Sequence, residues 1–228
     1  MKLLAFESSC ERASAALYIN GGTRVVWFEG HADHSERILA VTAALLAEAG
    51  LGMGALDAVA FGAGPGAFTG LRLACGVAQG LALGAGLGVI PVCTLAALAM
   101  QSPRPLALVA TDARMGEIYH GRYRVEGGAV SELAAPACCA PAALPRPPAG
   151  AWFGLGTAFA AHTADLTTVT AGLAGCDPTA TPSAEAVARL AAAMGAAAMA
   201  PPERTAPLYV RNKVALTTAE RLARGNKA

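Results

Sequence analysis

Short apolar runs bounded by glycine and proline alternate along this chain with longer stretches in which apolar side chains recur every three or four positions. That is the pattern of strands interleaved with amphipathic helices. Residues 2–7, 14–19 and 23–29 read as three strands, the last two joined by Asn20-Gly21-Gly22, whose glycines permit the positive φ of a tight hairpin. Residues 35–49 predict a helix: Ser35 is a good cap, Ile38, Val41, Leu45 and Leu46 fall on one side, and Gly50 supplies the stop. Residues 56–61 read as a strand, after which Gly62, Gly64 and Gly66 turn the backbone sharply around Pro65. Thr69 then caps a helix running to about Leu83, built from residues such as Ala74, Gly76, Val77 and Gly80 that let another backbone come close. A strand at 88–92 and a helix at 94–101 complete the first half.

Pro103 and Pro105 mark a boundary, giving two domains, 1–103 and 104–228. The second half partly repeats the first, with strands at 106–112, 118–125 and 129–133. An Ala- and Pro-rich excursion over 134–150 follows, then a strand at 151–154 and a helix from Thr181-Pro182 to about Ala200. Two halves that each open with strand, turn, strand indicate an α/β fold made by duplication.

Composition narrows the class. At 54% hydrophobic and 14% charged residues, the 228-residue chain is globular and long enough for a sizeable core. No apolar run reaches the ~20 uninterrupted residues of a membrane span; the nearest, 77–92, is broken by Gln79 and glycines. Glu7 arrives too early for a signal sequence, so a cytoplasmic protein is expected. The six cysteines lack Cys-x-x-Cys spacing and read as buried free thiols. A net charge of +1 is too balanced for unaided nucleic-acid binding. Only the tail is basic, with Arg204, Arg211, Lys213, Arg221, Arg224 and Lys227 against Glu203 and Glu220, and it is either a solvated end or a functional contact.

A glycine loop between strand and helix suggests a phosphate cradle, since free N–H groups at a helix start attract anions. Neither common motif is met: no Gly-Lys pair exists for a Walker loop, and counting Gly-x-Gly-x-x-Gly from Gly62 or Gly64 ends on Ala67 or Thr69. The loop is therefore either a packing turn or a different kind of site.

The full run from Gly62 to Arg72 (Gly-Ala-Gly-Pro-Gly-Ala-Phe-Thr-Gly-Leu-Arg) is more specific. Together with His34-Ser35-Glu36-Arg37-Ile38-Leu39, Asp112-Ala113-Arg114-Met115-Gly116-Glu117-Ile118-Tyr119 and Pro207-Leu208-Tyr209-Val210-Arg211, it resembles the TsaB (YeaZ) family. The likeness covers most of the chain and is weakest between about 130 and 181. It implies an actin-like ATPase (ASKHA) fold of two duplicated βββαβαβα-type domains, the second degenerate. It also implies a non-catalytic subunit for threonylcarbamoylation of the adenosine adjacent to the anticodon in ANN-reading tRNAs. Such a subunit pairs with and activates TsaD, alongside the ATPase TsaE and the donor-making TsaC, and forms a homodimer when alone. Apolar spacing and the resemblance together place Ile38, Val41 and Leu45 of the first helix and Leu71, Ala74, Cys75, Ala78 and Gln79 of the second against that partner.

In the actin-like fold the first hairpin carries an acid, a glycine and a hydroxyl that hold phosphates and Mg²⁺. Here Glu7, Ser8 and Ser9 stand there: the glycine is missing and the acid is one methylene longer. With Gly64, Gly66 and Thr69 they would form a vestigial nucleotide site, and no cofactor is expected. The alternatives are an autonomous ATPase or small-molecule kinase of this fold, using Glu7 and the 64–69 loop, and a self-associating scaffold. The family's catalytic relatives hold metal through His-x-x-x-His, whereas His31, His34, His120 and His162 offer no such pair, and His34 suits a cap or surface role. Asp112, Arg114 and Glu117 stand where a second phosphate loop would lie and either act there or fix the turn by a salt bridge. Tyr209 and Arg211 are expected to anchor the C-terminal segment. Without a Gly-x-Ser-x-Gly elbow or a cysteine near a histidine, peptidase chemistry is not expected.

Overall fold

Alternation along the first strand sends Leu4 and Phe6 to one face and Leu3 and Ala5 to the other, all fully buried, so its sheet must be covered on both sides. The computed structural model describes residues 1–29 and 34–211. Strands β1 (Lys2–Glu7), β2 (Arg12–Ile19), β3 (Gly22–Glu29), β4 (Ala58–Gly64) and β5 (Gly88–Cys93) form one sheet in the order β3-β2-β1-β4-β5. The first three pair antiparallel, and β4 and β5 add in parallel, with Leu4 beside both Leu17 and Val59. Helices α1 (His34–Glu48) and α2 (Phe68–Ala85) cover the Leu4 and Phe6 face. Helix α3 (Thr94–Ala99) follows β5 directly.

The second sheet repeats the first. Strands β6 (Leu106–Asp112), β7 (Ile118–Glu126), β8 (Ala129–Cys139), β9 (Trp152–Leu155) and β10 (Gly175–Asp177) lie in the order β10-β9-β6-β7-β8, with the same succession of antiparallel and parallel pairs. Helices α4 (Ala158–Ala161) and α5 (Thr163–Thr170) cover one face around Leu108, Trp152 and Leu166. The other face is closed by α3, whose Leu95 and Leu98 pack on Val109 and Tyr123. Helix α6 (Ala184–Met194) returns to the first sheet, setting Ala184, Val187 and Ala191 against Leu3, Ala5 and Ile90. The strand order is that of the duplicated actin-like fold. The second copy is degenerate because the counterpart of α1, between β8 and β9, is reduced to a single 3₁₀ turn at Pro141–Ala143. The strands divide between the sheets around Pro103 and Pro105, although α6 crosses back.

Several expectations shift. Helix α6 starts at Ala184 rather than Thr181: Ser183 is its cap, its hydroxyl accepting from the Ala186 N–H at 3.1 Å, and the helix ends before Gly195. Thr69 is not the cap of α2: the cap position is Ala67, two residues earlier, and the helix begins at Phe68. The third strand of the second half continues to Cys139, because its alternating residues keep pairing with β7 as far as Ile118, so the excursion is shorter than expected. Helices α4 and α5 and strand β10 were not expected. His31, the side chains of His34 and Ser35, and the basic tail beyond Arg211 lie outside the described residues.

Candidate functional site

The glycine loop is a socket already filled by its own chain. A Cβ on Gly62 would overlap the Glu7 carboxylate, one on Gly66 would meet the Ser9 Cβ at 2.5 Å, and one on Gly70 would overlap the Ser8 carbonyl. At Gly64, which has φ +115°, a Cβ would come within 2.9 Å of the Leu208 carbonyl oxygen. Each glycine thus makes room for the β1–β2 turn or the C-terminal segment. Hydrogen bonds lock the fit: the Ser8 hydroxyl donates to the Gly70 carbonyl at 2.8 Å, and the Ala67 N–H donates to the Ser9 carbonyl at 2.8 Å.

Glu7 sits wholly buried at the centre of this lock. Its carboxylate accepts from the Ser9 N–H at 2.7 Å and from the Thr94 hydroxyl at 3.2 Å, and Thr94 in turn accepts from the Gly64 N–H at 3.0 Å. Burial pushes the Glu7 carboxyl above its ordinary range, and the Ser9 and Thr94 hydrogen bonds partly offset this. The Ser9 N–H, an amide that would have to reach a phosphate, is therefore taken by a carboxylate from two residues away.

Beside the lock, a cavity of about 760 Å³ opens between the two sheets. Ser9, Cys10 and Glu11 wall it from the first hairpin, Asp112 and Arg114 from the second, and Leu208, Tyr209 and Arg211 from the C-terminal segment. Of the expected nucleotide residues, Ser9 and Gly66 line this cavity, while Glu7, Ser8, Gly64 and Thr69 do not. Arg114 bridges to Glu11 across the cleft at 2.6 Å and reaches Asp112 only at 3.7 Å, so the turn-fixing pair expected within the second hairpin is the weaker one. Asp112 also takes the Arg114 N–H at 3.1 Å and lies 3.2 Å from the His162 ring. With Glu7 facing inward and Glu11 and Asp112 paired to basic groups, the cleft's carboxylates do not fit a Mg²⁺–nucleotide in the manner of this fold. No cluster of three metal-ligating side chains occurs among the described residues. The cysteines are free, and burial raises every thiol, Cys10 to about 12, which removes nucleophilic thiolate at neutral pH.

The residues expected to face a partner turn inward. Ile38, Leu45, Leu71, Ala74, Cys75 and Ala78 are at most 4% exposed, and all but Leu71 pack in one cluster with Phe6 and Phe61. Val41 packs partly buried on the same cluster, and the Gln79 amide donates to the carbonyls of Pro202 and Thr205. The correction has a simple cause: the apolar stripe of a helix is the side its own sheet needs. The outer surfaces of α1 and α2 carry Leu39, 53% exposed, and Leu83, 72% exposed. The same helix α2 carries Gly76, Gly80 and Gly84, and beyond its own backbone no atom of the described residues lies within 4 Å of where their Cβ atoms would stand. The glycine period of four was the signal in the sequence for this face.

Comparison with known proteins agrees with this geometry. The family model "TsaD: tRNA N6-adenosine threonylcarbamoyltransferase" matches residues 25–219. The tRNA threonylcarbamoyladenosine biosynthesis protein TsaB of Haemophilus influenzae is 42% identical over 123 residues, 52% of each chain. TsaB of Escherichia coli is 42% identical over 129 residues, 54% of this chain and 55% of that one. The chain spans about half the length of the curated relatives it matches. Among solved structures, YeaZ from Pseudomonas aeruginosa superposes with a TM-score of 0.81 at 33% identity, covering 91% of this chain and 99% of that one. A second Pseudomonas aeruginosa structure, described as similar to peptidase YeaZ, gives 0.83 at 34%, covering 92% and 99%.

Proposed function

Because the chain belongs to the TsaB (YeaZ) family, we propose that it serves threonylcarbamoylation of the adenosine beside the anticodon of ANN-reading tRNAs as a non-catalytic partner and activator of TsaD. The observation that carries this reading is the self-filled phosphate loop, in which Glu7 occupies the amide and the space that a nucleotide phosphate would need. A chain whose glycine loop is filled by its own residues still has value to a related fold as a docking body. On this reading TsaE and TsaC act in the same cytoplasmic pathway without lasting contact to this chain's cleft, and a homodimer forms when TsaD is absent.

The docking face is the outer surface of α1 and α2, centred on Gly76, Gly80 and Leu83, rather than the buried set. Glycine in an exposed helix interior costs roughly 0.5–1 kcal/mol relative to alanine, and close approach of a partner backbone offsets that cost. Gly80→Arg tests this directly. Its side chain has open space, so the isolated protein keeps its fold by circular dichroism. Burying an unpaired guanidinium between helices costs several kcal/mol, so co-purification with TsaD should fall by on the order of a thousandfold in affinity. Normal TsaD binding by folded Gly80→Arg would remove this face from the reading.

A further inference from the structure

We infer that residues 205–211 form a releasable clasp that holds the two sheets together across the cleft and gates the cavity. The clasp is seated very unequally at its two ends. On the first sheet, the Leu208 N–H donates to the Ala63 carbonyl at 2.7 Å, the Leu208 carbonyl fits against Gly64, and Tyr209 accepts from Arg72 at 3.1 Å while lying 5.8 Å from the Phe68 ring. On the second sheet the hold is a single guanidinium. Arg211 donates to the carbonyls of Ala113 at 3.1 Å and Arg114 at 3.3 Å and pairs with Glu117 at 2.6 Å. The clasp therefore opens at its Arg211 end.

The receiving hairpin is under backbone strain. Arg114 and Met115 are consecutive non-glycine residues at φ +60° and +58°, a conformation that L side chains adopt at a cost and that persists where surrounding contacts impose it. The Arg211 guanidinium bonds the two carbonyls that flank the first of these residues, so it is one of the contacts that impose it. The same hairpin aims Arg114 at Glu11 on the other side of the cleft. Release of Arg211 frees the hairpin to relax, and relaxation carries Arg114 away from Glu11, so the two ties across the cleft break together. The closed seat is also imperfect: the buried Arg211 Nε has no partner among the described residues. Strain and an unmet donor oppose the ion pair, which makes the closed state reversible rather than permanent.

Cys10 lines the cavity and reports on its opening. The full chain is treated with N-ethylmaleimide, and labelling rates are read by peptide mass spectrometry at Cys10 and at Cys75, a thiol buried in the first core. Arg211→Ala is expected to raise the Cys10 rate roughly tenfold, the change for losing one charge-assisted contact's share of closing free energy, with Cys75 still protected. Glu117→Gln, which removes the partner carboxylate from a half-exposed site, is expected to act in the same direction, and Arg114→Ala to a lesser extent. Glu117→Gln decides the matter if Arg211→Ala exposes Cys75 by unfolding. Cys10 labelling at the wild-type rate in folded Glu117→Gln would overturn the clasp.

Discussion

Glu7 and the four glycines around it explain one another. A fully buried carboxyl with a raised pKa binds protons more tightly in the native state than when unfolded. Its contribution to stability is therefore complete below the unfolded value, near 4.5, and is lost as pH rises through the higher folded value. Glu7→Gln keeps the acceptor for the Ser9 N–H and removes the titration. The variant should be at least as stable as wild type at pH 8 by urea denaturation, and the gap should close as pH falls toward 4.5. Gly70→Ala should do the opposite, because its Cβ meets the Ser8 backbone rather than a movable side chain. A loss of about 2–3 kcal/mol is expected from overpacking, visible as a lower urea midpoint with an unchanged m-value.

At the scale of elements, the proposed docking face predicts that the outer glycines of α2 set stability against association. Gly76→Ala and Gly80→Ala should each stabilise the isolated protein by about 0.5–1 kcal/mol, since neither new Cβ meets an atom, yet weaken TsaD binding in calorimetric titration. The first nine strands were legible in the sequence as short runs bounded by turn residues, although the eighth continues to Cys139. Helices α4 and α5 were not, because alanine and threonine carry little periodic contrast. Thr163 and Thr167 satisfy their hydroxyls on carbonyls one turn back, which lets a β-branched segment stay helical. The glycine loop was visible as a special turn, but its occupant was not: that Glu7 fills Gly62 and Leu208 approaches Gly64 depends on pairings 55 or more residues apart. The burial of the residues expected to face a partner has a related cause. Hydrophobic spacing finds the side of a helix that its own sheet covers, whereas the outer face of α2 proposed for docking is marked by glycines with open space around them.

The whole molecule is a duplicated frame in which α3 and α6 are exchanged between sheets, the second copy has lost one helix, and the cleft between the sheets is spanned by the Arg114–Glu11 pair and the C-terminal segment. We propose that this body serves as a partner of TsaD and performs no chemistry itself. That role is tested most directly by reconstituting modification of an ANN-reading tRNA from purified TsaD, TsaE and TsaC. Threonylcarbamoyladenosine should form only when this chain is added, and the folded Glu7→Gln variant should support the same rate as wild type. Loss of modification with a Glu7→Gln protein that still binds TsaD normally would contradict the account.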